Sequence, residues 1–310
     1  TSVGLRWQST GFLVAGMESP SGSASERLNY PTGLTFVASN TLYIADCYNR
    51  RVQKLTIGQA AGTTVAEQPS ESTSANLNRP TGILVDSNGN IYVSDSFNHR
   101  IKLWQNSSLS GTTIAGPGGL RSSMSQLNTP HGLARNSATD TIYIAYYGNH
   151  WIMSYASGAT AGTVAAGGNG AGMLTTQLNS RCISLFYFDS SSNSLYIASE
   201  GGNKIVRWVL NAITWSLVVG HPAGSSGSTS TILYSLFDFI LDSMGNIYVS
   251  DITNHHIQFF LSGQLNGSTI AGITSTSGTT NQLLYSPNGV ALDSELNWYV
   301  SDTNNHRVLK

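Results

Sequence analysis

Six segments of the chain, spaced by about fifty residues, carry one pattern. The second copy shows it in full. It reads Pro80-Thr81-Gly82-Ile83-Leu84-Val85-Asp86, then Gly89-Asn90-Ile91-Tyr92-Val93-Ser94-Asp95, then Asn98-His99-Arg100-Ile101. Residues 42–46, 142–146, 195–200, 247–251 and 298–302 repeat its middle, and Asn49, Asn149, Asn203, Asn254 and Asn305 follow as Asn98 does. A period of this length marks a stacked or radial array of supersecondary units.

Each unit holds four short β-prone runs separated by Gly, Asn, Asp and Ser; in the second copy they span about 82–86, 91–95, 99–104 and 112–116. The first two runs are apolar throughout, as expected of strands covered on both faces. The expected fold is all-β: a six-bladed β-propeller of four-stranded antiparallel blades, one domain over residues 1–310. The last unit stops in its third strand at Lys310, while Gly11-Phe12-Leu13-Val14-Ala15-Gly16 matches the fourth-strand pattern Gly111-Thr112-Thr113-Ile114-Ala115-Gly116. The N-terminal strand is therefore expected to complete the last blade, which leaves the ring no open sheet edge.

The Asp-x-x-Asn-His-Arg-Ile/Val signature, the Pro-x-Gly start and the spacing resemble the NHL-repeat family of six-bladed propellers over nearly the whole chain. The resemblance implies a fold and leaves the role open. That family includes RNA-binding domains, ectodomains of sensor kinases and adhesion receptors, and a zinc-dependent peptide-amidating lyase.

Composition narrows the choice. Charged residues are 10% of the chain, against about 25% in an average soluble domain, and Ser, Thr, Asn and Gly fill the difference. Such a neutral polar surface suits an extracellular or secreted, glycan-bearing protein, or the ectodomain of a larger chain. With a net charge of -1 and 15 scattered Lys and Arg, the basic face that nucleic acid requires is missing. No apolar run approaches a membrane span, and no signal peptide is present, so the chain reads as a mature form or an excised domain. The cysteines, Cys47 and Cys182, fall in opposite units; free thiols are expected.

Strand alternation puts the b–c turns and the d–a linkers on one face, here called top, and the a–b and c–d loops on the bottom. Asp46, Asp95, Glu200, Asp251 and Asp302 open b–c turns, with Tyr146 in the third unit. A cation-binding ring is one reading; turn-local hydrogen bonding is the other, and the repeat favours it. Motif histidines 99, 150, 255 and 306 lie on a wide circle and cannot converge on a metal. His131, between Pro130 and Gly132, is the histidine with a path to the central channel, where Thr32, Thr81, Cys182, Phe237 and Asn288 hold the equivalent positions. Leu28, Leu77, Leu127, Leu178 and Leu284, three residues before a unit start, are expected to plug the spaces between blades.

Tyr48, Phe97, Tyr146 and Tyr147, with His131, are the candidate ligand-binding residues, because aromatic rings offer contact area at low entropic cost. Sequons at Asn106 and Asn266 fall in c–d loops, on the bottom. No catalytic motif, cofactor or metal set emerges. The expected function is an interaction module binding a protein, peptide or glycan through its top face; the alternative is a metal-dependent lyase or hydrolase working in the central channel.

Overall fold

The computed structural model describes residues 10–17, 21–37, 40–67, 76–116, 127–146, 150–179 and 186–310. They form six four-stranded antiparallel sheets arranged as propeller blades. Blade 1 comprises strands a to d at Pro31–Val37, Thr41–Asp46, Arg51–Thr56 and Thr63–Ala66. Blade 2 comprises Pro80–Val85, Ile91–Asp95, Arg100–Trp104 and Thr112–Ala115. Blades 3, 4 and 5 run from Pro130 to Gly167, Phe186 to Gly220 and Leu236 to Gly272. Among the described residues no helix is long and apolar enough to cross a membrane.

Blade 6 draws on both ends of the chain. Pro287–Leu292, Trp298–Asp302 and Arg307–Leu309 supply three strands, and Leu13–Gly16 supplies the fourth. Leu13 pairs with Leu309 and Gly16 with Arg307. Phe12 and Lys310 exchange both backbone hydrogen bonds at 2.8 Å, so the closing seam has the bonding of an ordinary ladder.

The Pro-x-Gly starts have a mechanical reason. In blades 1, 2, 3 and 6 the a–b register shifts by a bulge just after the proline, whose residue pairs with the last of strand b, as Pro31 does with Asp46. The glycine then lies against the next blade: a Cβ on Gly82 would collide with the His131 carbonyl oxygen, and one on Gly289 with that of Thr32. Blade 5 carries Asp238 there instead. Its carboxylate accepts the N–H of Val290 in blade 6 at 2.8 Å and of Phe239 at 2.7 Å.

The core is six layers, each between two neighbouring blades. Every layer contains one buried linker leucine: Leu28, Leu77, Leu127, Leu178 and Leu284 as the repeat predicts, and Leu233 between blades 4 and 5. Leu233 stands three residues before Leu236, the same offset as the other five. A single interlayer leucine is worth several kcal/mol where the layer cannot collapse. Leu233→Ala is therefore expected to cost about 2–5 kcal/mol in chemical denaturation; a loss below about 1 kcal/mol would remove its role as a plug.

Candidate functional site

The acid at the head of each b–c turn is a structural anchor. Asp46, Asp95, Asp251 and Asp302 are fully buried. Each accepts a linker N–H, at 2.6 to 3.0 Å, from Asn29, Asn78, Tyr234 and Tyr285 respectively. Asn49, Asn98, Asn254 and Asn305 bridge from the same carboxylates to linker carbonyls. Arg51, Arg100 and Arg307 complete the clamp with Nε–carboxylate pairs of 2.8, 2.6 and 2.8 Å. In blade 5 His256 stands in the arginine position, its Nε2 3.4 Å from Asp251. Burial pushes the carboxyls of Asp46 and Asp302 up from their ordinary value, against the pull of these donors.

Unit 4 is shifted by one residue from its expected alignment. Its turn, Glu200–Gly202, ends on Asn203 at φ 47, the left-handed position that Arg50, His99, His255 and His306 occupy elsewhere. Ser199, not Glu200, thus matches the buried acid, and Gly202, not Asn203, matches the asparagine. The Ser199 hydroxyl donates to the Asn179 carbonyl at 2.7 Å. An acid at Glu200, one residue past the anchor position, hides the register of this glycine-rich turn in the sequence.

The motif histidines are latches between blades. The Nδ1 of His99 accepts the N–H of Thr129 at 3.1 Å, that of His255 accepts Ser286 at 3.2 Å, and that of His306 accepts Tyr30 at 3.0 Å. Asn203 does the same with its side-chain oxygen for Ser235, at 2.9 Å. Each latch ties a b–c turn to the linker entering the next blade. An accepting Nδ1 places the ring proton on Nε2 and requires the neutral imidazole.

The candidate binding residues separate. Tyr146 is 1% exposed and packs between blades 2 and 3, its hydroxyl 3.3 Å from that of Tyr155. This corrects its assignment to the top face: strand b is covered on both sides to its last residue. Tyr147 and Cys182 lie outside the described residues, and Cys47 is a buried free thiol pushed up to about 12 by its burial. His131 meets Phe237 of blade 5 edge to face, centroids 6.1 Å apart, and burial lowers it to about 4. Asn106 and Asn266 are exposed in c–d turns.

Tyr48 and Phe97 remain on the top face, 46% and 47% exposed, and they are not alone. Tyr48 stacks on Tyr30 with centroids 4.7 Å apart and planes 9° from parallel. The Arg79 guanidinium lies 5.0 Å from the Tyr48 centroid and 4.4 Å from that of Phe97. Tyr30, Tyr48, Arg79 and Phe97 thus form one ladder across blades 1 and 2. Tyr30 and Arg79 are the linker residues just before Pro31 and Pro80, a position the sequence reading did not consider. The equivalent residues are Thr129, Ser235 and Ser286 at the other described junctions, and the turn positions matching Tyr48 and Phe97 hold Gly201, Thr253 and Asn304 in blades 4, 5 and 6.

Three units match the NHL repeat model, at residues 28–55, 77–102 and 284–310. No curated protein sequence matches the chain. Among solved structures, an auxiliary nutrient binding protein from Bacteroides ovatus ATCC 8483 superimposes with a TM-score of 0.70 at 14% identity, over 97% of this chain and 75% of that one. A streptogramin B lyase gives 0.60 at 11% identity over 97% of both chains. A nidogen/laminin complex gives 0.60 at 16% identity, over 91% of this chain and 97% of that one. At these identities the likeness is one of fold.

The latches and the buried acids have opposite pH responses. Burial holds His99, His255, His306 and His131 below the ordinary histidine value of 6.5, so an unfolded chain binds their protons first and stability falls as pH drops below about 6.5. Asp238 is pushed up to about 8, so its contribution is fully present below about 4 and is lost as pH rises toward 8. Asp238→Asn is accordingly expected to raise the melting temperature relative to the native chain more at pH 8 than at pH 5; an equal shift at both would contradict a titrating Asp238. With six four-stranded blades, a ring closed by its own N-terminal strand and NHL repeats matched at residues 28–55, 77–102 and 284–310, the chain is a six-bladed β-propeller that carries NHL repeats.

Proposed function

We propose that the chain is an interaction module that holds a protein, peptide or glycan partner on the top face of blades 1 and 2. One observation carries the reading. The turn-centre residue and the residue before strand a are small or polar where described in blades 3 to 6 and become Tyr30, Tyr48, Arg79 and Phe97 in blades 1 and 2, where they stack on one another; Tyr234 and Tyr285 expose rings one linker position earlier in blades 5 and 6. Exposed aromatics and arginine at such a density are the side chains that dominate binding hot spots. Similar folds include a nutrient binding protein and the nidogen/laminin complex, in keeping with a binding role, as well as a lyase. The enzymatic alternative draws on His131, whose aromatic neighbour across the channel is Phe237.

An extracellular setting completes the proposal. Asn106 and Asn266, both exposed on the bottom face, would carry glycans there and leave the top free. Tyr48→Ala and Phe97→Ala are each expected to weaken partner capture or glycan-array binding by about tenfold or more. Met244→Ala, in an exposed bottom loop, is expected to change nothing. Equal binding by all three variants would place the partner elsewhere.

A further inference from the structure

At the described junctions leaving blades 2, 4, 5 and 6, the left-handed residue after the b–c turn is a latch: His99, Asn203, His255 or His306 accepts the backbone N–H of the next linker. The junction from blade 1 to blade 2 departs from this. Arg50 holds the latch position at φ 58, and the N–H it would receive belongs to Arg79. A guanidinium has no acceptor atom, so Arg50 cannot make the bond. The repeat's structural device is given up at the junction that the aromatic ladder crosses.

What replaces it is positive charge. Arg50 and Arg79 are both exposed, and neither has an acidic partner among the described residues. They belong to one junction, because wherever the latch forms, the residues equivalent to 50 and 79 are in direct contact. The neighbouring acids, Asp46 and Asp95, are buried beneath them and already engaged by Arg51 and Arg100. The Arg79 charge reaches its surroundings, lowering the Tyr30 hydroxyl and Cys47 thiol values against the larger effect of burial.

We infer that this junction binds an acidic peptide segment, its carboxylates received by Arg50 and Arg79 and its backbone laid along the Tyr30–Tyr48–Arg79–Phe97 ladder. The inference rests on the top-face reading above and narrows its ligand. Stacking sets the chemistry. Tyr30 and Arg79 both stand against Tyr48, and Arg79 also stands against Phe97, so the ladder presents cationic donors beside its rings and leaves less ring face for a sugar. The Arg79 guanidinium is exposed beside two rings, and its planar set of N–H donors can pair with a carboxylate in two parallel bonds.

The repeat itself supplies variants that should fold. Arg50→His installs the latch residue of blades 2, 5 and 6, and Arg79→Thr installs the residue of blade 3. Fluorescence anisotropy with a labelled octapeptide of alternating glutamate and glycine, its glutamine counterpart, and polygalacturonate as competitor forms the test. The glutamate peptide is expected to bind about tenfold more tightly than the glutamine one. Each variant is expected to lose about tenfold for the glutamate peptide, while the melting temperature of Arg50→His stays level or rises. Equal binding of the two peptides, unchanged affinity in Arg50→His, or tight binding of polygalacturonate where the glutamate peptide fails would overturn the inference. The top-face reading would survive those results so long as Tyr48→Ala and Phe97→Ala still weaken capture of the native partner about tenfold or more; if they do not, both fall.

Discussion

A buried carboxylate at the end of strand b holds blades 1, 2, 5 and 6 to their linkers. Asp46, Asp95 and Asp302 each gather a linker N–H, an asparagine amide and an arginine Nε into a site without water contact. Burying an anion is tolerable only when its lone pairs are filled this way, and removing one partner leaves an uncompensated charge that costs about 3–5 kcal/mol. The arginine's remaining N–H groups go to linker carbonyls, as Arg51 shows with Ser23, Ala24 and Arg27. One ion pair thereby fixes the course of a loop that has no ladder of its own. The linker leucine is then delivered into the interblade layer, and the outward residue before the proline is set on the top face.

Because the clamp and the latch are the same chemistry repeated around a ring, departures from them are informative. Ser199 in place of the aspartate, His256 in place of the arginine and Asp238 in place of a glycine are each absorbed by a compensating hydrogen bond. Arg50 is absorbed by nothing in the described structure; it adds an exposed charge beside another. A residue that breaks a local rule without structural recompense is the kind expected at a functional site.

Much of the fold was legible in the chain. The period, the apolar strand runs and the fourth-strand pattern at residues 11–16 led to six blades and to the seam that Leu13 and Leu309 form. Five of six interblade leucines could be named by counting back from unit starts. The site was legible only in part. Tyr48 and Phe97 stand out as aromatics in turns, but Tyr146 has the same letters and is buried, since one residue earlier in the turn still belongs to the covered strand. Tyr30 and Arg79 carried no signal in a linker of variable sequence.

The amino-acid sequence by itself determined what is local and periodic: strand alternation, the recurring Asp-x-x-Asn turn and the number of blades. These depend on spacing within a unit, which reading along the chain reveals. Only the tertiary structure decided what meets across a junction. Arg79 reaches Tyr48, about thirty residues earlier, and Tyr30 reaches His306 at the far end of the chain, because ring closure makes the last blade a neighbour of the first. Contacts of that kind arise from the geometry of the circle, and no window of sequence contains both partners.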